Sequence, residues 1–232
     1  MTPSAARTGP VFWVYHMYDI ILFDLDGTLS DSGPGIMHSV RYALAKFGIT
    51  GESDEALRRF VGPPMIESYM KFYGFSHEQA VQALAYYRED YLAGAIYMNT
   101  PYEGMEETLR ALNAAGKTVA AATGKPTSMA EDVLRHFGWE KYFAFIAGAT
   151  MDESRSEKHE IIDFALEALG VSDRSRVLMI GDRDNDVLGA ARAGVDCCGV
   201  LYGYGSLEEL EGAGAKYIVE KPEDLLAIVL SH

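Results

Sequence analysis

The fold of this chain is decided by the stretch Ile20-Ile21-Leu22-Phe23-Asp24-Leu25-Asp26-Gly27-Thr28. A second stretch has the same pattern: Val177-Leu178-Met179-Ile180-Gly181-Asp182-Arg183-Asp184-Asn185-Asp186. Each stretch begins with apolar residues and then becomes acidic. An unbroken apolar run of this length is typical of a strand buried on both faces, as in a parallel sheet. Ligands of such sheets bind just beyond the carboxyl ends of the strands. We therefore expect several carboxylates to meet at one sheet edge, where their repulsion favours a bound cation.

The expected cation is Mg²⁺. Carboxylate oxygens suit this ion, which one or two carboxylates and a substrate phosphate usually hold. The pattern therefore indicates phosphoryl chemistry. A calcium loop starting at Asp182 is rejected, because Val187 and Ala193 stand where that loop requires Gly and Glu. The six histidines show no zinc-ligand spacing.

Charge and cysteine content restrict the partners and the compartment. The 232-residue chain has 20 Lys and Arg against 34 Asp and Glu, a net charge of −14, which repels nucleic acid and anionic membranes. Its two cysteines, Cys197 and Cys198, are adjacent and form no disulfide framework. No apolar stretch approaches the ~20 residues that span a bilayer. The sequence predicts a cytoplasmic protein, a monomer or homodimer, that binds neither nucleic acid nor membranes. With the phosphoryl chemistry indicated above, the expected partner is a small phosphorylated metabolite.

The order of the patterns predicts an α/β fold with an all-α insertion. Residues 31–98 show helical periodicity without a core strand, whereas helices and strands alternate from Pro101 onward. We predict a doubly wound, Rossmann-like parallel sheet formed by residues 17–30 and 99–232, with residues 31–98 as a helical cap. Residues 1–16 are interpreted as an N-terminal extension, with Met17 as a possible alternative start.

Boundary signals place individual elements within this plan. Ser76 and Gln79 form a capping box ahead of a long helix that extends to about Leu92. After the insertion, core strands are predicted over Thr118–Ala122, Tyr142–Ile146, Val177–Ile180, Asp196–Leu201 and Tyr217–Val219.

Single residues outside the acidic stretches carry little information on their own. Thr123 ends a predicted strand, where a hydroxyl can hold a phosphoryl oxygen but more often caps a helix. Gly124-Lys125 is similar to the end of a P-loop, yet Pro126 follows where Ser or Thr is required. Lys158 begins a helix in a polar segment, where a lysine is usually a solvated surface charge.

Taken together, four motifs resemble the haloacid dehalogenase superfamily of phosphohydrolases with a helical cap. They are Asp24-x-Asp26-Gly27-Thr28, Thr123, Lys158, and Gly181-Asp182 with Asp186 after three intervening residues. The resemblance covers about residues 18–230. Its finer features are similar to the phosphoglycolate phosphatase and 5′-nucleotidase-like branch, through Asp31-Ser32, Phe60-Val61-Gly62-Pro63-Pro64, Gly181-Asp182-Arg183 and Tyr202-Gly203-Tyr204-Gly205-Ser206.

The resemblance implies roles for these residues. Asp24 would be the nucleophile, and Asp26 the general acid and base. The implied phosphate-binding residues are Gly27, Thr123, Gly124 and Lys158. Mg²⁺ would be held by the Asp24 side chain, the Asp26 backbone carbonyl and Asp182. Asp186 would lie nearby, either beyond the direct ligands or bound to the ion through a water molecule.

The implied activity is Mg²⁺-dependent hydrolysis of a small phosphate monoester through an aspartyl-phosphate. A phosphoglycolate phosphatase-like activity is expected, and the alternatives are a 5′-nucleotidase, a sugar phosphomutase or a non-catalytic binding protein. The chain departs from the branch at Gly124, where Ser is usual, and at Glu153-Ser154, where Gly-Thr is usual. These departures concern substrate preference, for which the candidate residues are Arg58, Arg59, Met65 and Arg155.

Overall fold

A computed structural model describes residues 18–230 of the chain. Its strands are β1 (Ile20–Phe23), β2 (Ser30–Asp31), β3 (Thr100–Pro101), β4 (Thr118–Pro126), β5 (Phe145–Ala149), β6 (Val177–Gly181), β7 (Asp196–Val200) and β8 (Tyr217–Val219). Its α-helices are α1 (Gly33–Ala45), α2 (Asp54–Arg58), α3 (Met65–Tyr73), α4 (His77–Leu92), α5 (Met105–Ala114), α6 (Thr127–His136), α7 (Lys158–Ala168), α8 (Asp184–Ala193), α9 (Leu207–Ala213) and α10 (Asp224–Leu230). The extension predicted over residues 1–16 lies outside the described residues.

The main sheet has six parallel strands in the order β5-β4-β1-β6-β7-β8. In β1, Phe23 lies opposite Ala121 of β4 and Ile180 of β6. The chain therefore leaves β1 and β6 at the same level on the same edge. The predicted doubly wound parallel sheet is confirmed, and its edge carries the acidic stretches.

The apolar runs are continuous because the sheet is buried on both faces. In β1, Ile21 and Phe23 pack into one hydrophobic cluster, whereas Leu22 packs into the cluster on the opposite face. The neighbouring cysteines divide in the same way, Cys197 to one cluster and Cys198 to the other, and both are free thiols. Side chains alternate across a strand, so a strand covered on two sides needs apolar residues at every position.

Two predicted strands differ from the structure by more than one residue at an end. The strand predicted over Tyr142–Ile146 is wrong at its start: Glu140–Tyr142 form a short 3₁₀ helix, and β5 runs over Phe145–Ala149. Aromatic residues favour strands in general, but the ladder to β4 begins only where Phe145 meets Ala120. The strand predicted over Thr118–Ala122 continues to Pro126, because Pro126 still pairs with Ala149 after a register shift.

Helices α1 to α4 occupy the segment between β2 and β3. These two strands form an antiparallel ribbon in which Ser30 lies opposite Pro101 and Asp31 opposite Thr100. The ribbon brings together the points where the chain leaves and rejoins the main sheet, beside the boundaries predicted for the insertion. Helix α4 ends at Leu92 as predicted, and the capping box before it is formed. Within residues 18–230, no helix is long and apolar enough to cross a bilayer.

Candidate active site

Three carboxylates converge at the edge of the sheet. Asp24 follows β1, Asp182 follows β6, and Asp186 lies in the first turn of α8. One carboxylate oxygen from each lies within 4.8 Å of the others, and all three side chains are buried. The hydrogen bond from the Asp24 backbone N–H to the Ile180 carbonyl keeps the two strand ends side by side. Neighbouring strands thus place acids that are distant in sequence around one point.

Lys158 supplies the positive charge of this cluster. Its Nζ lies 3.0 Å from Asp24 Oδ1 and 2.7 Å from Asp186 Oδ1, and it donates a hydrogen bond to the Ala122 carbonyl. The side chain is buried, in contrast to the solvated lysine typical of a polar segment. Burial alone would lower the pKa of Lys158, but Asp186 and Asp24 outweigh it and raise the pKa. Lys158 therefore remains an ammonium ion.

The cluster holds more carboxylates than the single charge of Lys158 can neutralise. Burial raises the pKa of Asp24 to about 6, with Lys158 acting against it and Asp186 and Asp26 adding to it. Burial also raises the pKa of Asp182 well above its usual range, and Asp186 and Asp24 reinforce the shift. A second positive charge at this point would relieve the repulsion. Three buried carboxylates within reach of one another are a suitable oxygen donor set for a hard divalent cation.

Glycines enclose Asp182 at very short distances. A β-carbon added to Gly27 would lie 2.3 Å from Asp182 Oδ2, one added to Gly203 would lie 2.4 Å from Asp182 Cβ, and one added to Gly205 would lie 1.9 Å from the Asp182 carbonyl oxygen. Gly27 also has a φ of +84°, in the left-handed region that favours glycine. The backbone N–H of Tyr204 donates a hydrogen bond to Asp182 Oδ2. The close backbone fixes the Asp182 carboxylate in one position.

Asp26 lies beside this cluster and is held by a residue to which the sequence analysis gave no role. Lys125 Nζ lies 2.9 Å from Asp26 Oδ2 and donates a hydrogen bond of 2.7 Å to the Tyr91 hydroxyl. Asp26 Oδ1 is buried and has no hydrogen-bond partner. The signal in the sequence was Gly124-Lys125, which fails as a P-loop and is therefore easily set aside.

The candidate phosphate-binding residues lie around a single cavity. Thr123 is buried with its hydroxyl oxygen accepting a hydrogen bond from the Lys125 backbone N–H, and it lines the cavity together with Gly124 and Lys158. A β-carbon at Gly124 would make only an ordinary contact, at 3.8 Å from the Gly62 carbonyl oxygen. Space therefore does not require the glycine that replaces the usual Ser. Gly27, the fourth candidate, does not line this cavity and instead lies against Asp182.

The cavity lies between the sheet edge and the helical insertion. The insertion contributes Ile36, Phe60, Gly62, Pro63, Pro64, Met65, Leu84, Tyr87, Arg88 and Tyr91. The sheet side contributes Asp24, Asp26, Thr123, Gly124, Lys125, Pro126, Met129, Glu153, Ser156, Lys158 and Asn185. The wall opposite the carboxylates is thus mostly apolar and aromatic. The turn Gly62-Pro63-Pro64 is part of it, and Arg183 holds this turn through a 2.6 Å hydrogen bond to the Val61 carbonyl.

Of the specificity candidates, the structure brings only Met65 to the cavity wall. The guanidinium of Arg58 lies over the Tyr204 ring, and that of Arg59 lies over the Phe72 ring. Arg155 donates hydrogen bonds to the Gly148 carbonyl and lies over the Phe164 ring. These three arginines are occupied by aromatic rings or backbone carbonyls away from the cavity.

The insertion does contribute one arginine to the cavity wall, and sequence reasoning missed it. Arg88 of α4 lies 2.8 Å from Glu153 Oε1 and donates a hydrogen bond to the Met151 carbonyl, so it joins the insertion to the loop after β5. Glu153 has a φ of +63°, unusual for a residue with a side chain. This conformation agrees with the Gly that the resembling branch usually has there. The glutamate is retained in a strained position, where it pairs with Arg88.

A parallel sheet with buried carboxylates and a buried lysine at its strand ends, facing a cavity under inserted helices, defines a class of hydrolase that acts on phosphate esters. The chain belongs to the haloacid dehalogenase-like hydrolases, whose family profile matches residues 21–200, and it is a phosphatase of that family.

Three of the relatives carry different names. A 5′-nucleotidase of Pseudomonas aeruginosa is 43% identical over 215 residues, covering 93% of this chain and 97% of the relative. The tyrosine-protein kinase PtkA of Mycobacterium tuberculosis is 40% identical over 83% of this chain and 65% of its own length. A phosphoglycolate phosphatase of Vibrio parahaemolyticus is 28% identical over 90% of this chain and 95% of its own length. The catalytic fold is thus shared by enzymes named for different substrates.

A solved structure resembles the whole fold. The crystal structure of a protein described as a "predicted phosphatase" from Clostridium acetobutylicum has a TM-score of 0.90 and 42% identity, covering 93% of this chain and all of the other. The similarity extends over both the sheet and the insertion.

Proposed function

We propose that the protein is a Mg²⁺-dependent phosphomonoesterase that works through an aspartyl-phosphate, and that its substrates are nucleoside 5′-monophosphates. The observation that carries the chemistry is the buried cluster in which Lys158 contacts both Asp24 and Asp186, with Asp182 alongside. Helices α1 to α4, within the predicted insertion of residues 31–98, act as the cap that covers the bound substrate.

Asp24 forms the covalent intermediate. An oxygen of its carboxylate attacks the phosphorus atom, and the bond from phosphorus to the leaving oxygen breaks. Asp26 donates a proton to that oxygen, which departs as an alcohol. Asp26 then accepts a proton from water as the water oxygen attacks the phosphorus, which releases inorganic phosphate and restores Asp24. Lys158 and the Thr123 hydroxyl stabilise the charge that develops on the phosphoryl oxygens.

The buried carboxylates of this cluster are suitable ligands for Mg²⁺. Asp24, Asp182 and Asp186 would hold the ion, together with the Asp26 carbonyl, and once bound it supplies positive charge beside the phosphoryl group. The raised pKa values of Asp24 and Asp182 support this assignment, because both arise from burial and from crowding of negative charge.

The cavity favours a nucleoside over the carboxylate of phosphoglycolate. Three cationic side chains line the cavity within the described residues, and each already contacts a carboxylate: Arg88 pairs with Glu153, Lys125 with Asp26, and Lys158 with Asp24 and Asp186. No free cation is left there for a second anionic group. The wall formed by residues such as Phe60, Leu84 and Tyr87 instead suits an apolar, planar group. The 5′-nucleotidase named among the relatives supports the same choice.

The test is phosphate release from a substrate panel with Mg²⁺ and no protein acceptor. Nucleoside 5′-monophosphates should give a higher kcat/KM than phosphoglycolate, and Asp24→Asn should be inactive. A preference for phosphoglycolate would overturn the substrate assignment while leaving the chemistry intact. Absence of phosphate release from every ester would refute the phosphatase mechanism, and transfer only to a protein tyrosine would favour a kinase.

A further inference from the structure

Lys125 is a buried cation that connects the sheet edge to the helical insertion. It lies near the end of β4, and its side chain is buried at the cavity wall. Its Nζ lies 2.9 Å from Asp26 Oδ2 and 2.7 Å from the Tyr91 hydroxyl oxygen. One ammonium group thus contacts the proposed general acid and a residue of α4 together.

The contact makes the two oxygens of Asp26 different. Oδ2 faces the ammonium of Lys125, whereas Oδ1 is buried and has no hydrogen-bond partner. A buried carboxylate oxygen without a partner is costly, so its retention calls for a functional reason. The ammonium group holds the carboxylate by Oδ2, which leaves Oδ1 as the atom free to give a proton to the leaving group.

Tyr91 makes the position of Lys125 depend on the insertion. The Tyr91 side chain is buried, its ring centroid lies 4.8 Å from Lys125 Nζ, and its ring stacks on that of Tyr87 from the same helix. Lys125 would lose its hydrogen bond and its aromatic neighbour if α4 moved away from the sheet. A buried ammonium that loses such partners would have to reorient toward water.

We propose that Lys125 is a positioning residue for Asp26, and that Tyr91 makes this positioning conditional on the docking of α4. The inference rests on the proposed role of Asp26 as general acid. It means that the proton donor is aligned only when the insertion covers the substrate. The carboxylate would then protonate a leaving group inside the closed cavity and not in the open one.

The test uses two esters that differ in their need for an acid. The leaving alkoxide of a nucleoside 5′-monophosphate is strongly basic and needs a proton, whereas 4-nitrophenolate leaves without one. Lys125→Met should lower kcat/KM for the nucleotide by roughly tenfold or more beyond its effect on 4-nitrophenyl phosphate, a part of the 10²–10⁴ that general acid catalysis supplies. Lys117→Met is the matched control, because Lys117 is also buried and pairs with Asp19, and it lies just before the first residue of β4, at the opposite end of the strand from Lys125.

Tyr91→Phe tests the connection to the insertion, since it keeps the ring and removes the hydroxyl. It should produce the same selective loss to a smaller degree, and the double variant with Lys125→Met should be no worse than Lys125→Met alone. Tyr86→Phe on the same helix is its control, because Tyr86 packs against Phe47 and does not line the cavity.

The outcomes separate the alternatives. Equal losses for both esters would overturn the positioning role and indicate that Lys125 binds the phosphoryl group itself. Additive losses in the double variant would overturn the connection through Tyr91. If Lys125→Met fails to fold, Lys125→Arg replaces it, and its guanidinium should retain part of the selectivity for the nucleotide. A wild-type protein inactive on both esters would refute the proposed function instead.

Discussion

Asp24→Asn should make the metal-free protein more stable while abolishing turnover. The pKa of Asp24 is raised from 3.8 to about 6 by burial and by neighbouring carboxylates. The folded state therefore holds this proton more tightly than the unfolded state does, so wild-type stability falls as the pH rises from about 4 to about 6. Above that window the charged carboxylate costs about 3 kcal/mol, the free-energy equivalent of the shift. Asparagine has nearly the same shape and no charge, so it removes this cost.

The measurement is urea unfolding of wild type and variant in EDTA at pH 8 and near pH 4. At pH 8 the variant should be more stable by about 3 kcal/mol, or roughly 6–12 °C in melting temperature for a chain of this size. Near pH 4 the two proteins should converge. Saturating Mg²⁺ should narrow the difference at pH 8, because the ion binds the wild type more tightly. A variant that is less stable in EDTA at pH 8, or a difference independent of pH, would refute the account of crowded charge.

Three further predictions concern the reaction and its substrate. Asp26→Asn should slow kcat by roughly 10²–10⁴, the usual contribution of general acid–base catalysis, and unchanged kcat in a folded variant would exclude that role. Exhaustive chelation should abolish phosphate release and added Mg²⁺ should restore it, whereas activity that persists in EDTA would disprove the metal requirement. Met65→Ala should change kcat/KM unequally among substrates, with differences in transition-state binding of about 1–3 kcal/mol for a well-placed contact. Arg59→Ala should not, because of these two residues only Met65 lines the cavity. Parallel changes for both variants in a kinetic panel would contradict this division.

The sequence was most informative about elements and about the edge of the sheet. Parallel strands end at a common edge, so Asp24 and Asp182 could be placed together from two apolar runs alone. Helix ends were equally accessible where local chemistry fixes them, as with the capping box at Ser76 and Gln79. These features depend on short stretches of chain, which a sequence shows directly.

The contacts between the sheet and the insertion could not be predicted from local sequence patterns. Lys125 meets Tyr91 and Arg88 meets Glu153 only because the helices dock in one particular way on the sheet. Nothing in the spacing along the chain sets that docking. For the same reason Arg59 was a reasonable candidate for the cavity, yet it lies over the Phe72 ring. The start of β5 was misplaced because aromatic content indicates a strand but not the residue at which its ladder begins.

The glycines around Asp182 make one side of the active site much less tolerant of substitution than the other. Gly27, Gly203 and Gly205 leave no room for even a methyl group, so almost any substitution there would displace the acid itself. The opposite wall of the cavity consists largely of side chains such as those of Met65 and Leu84, away from these glycines. Natural variation can therefore change the leaving group that is accepted while the phosphoryl end stays the same. Chains that keep these glycines can therefore share one fold and one phosphoryl site and still differ in substrate.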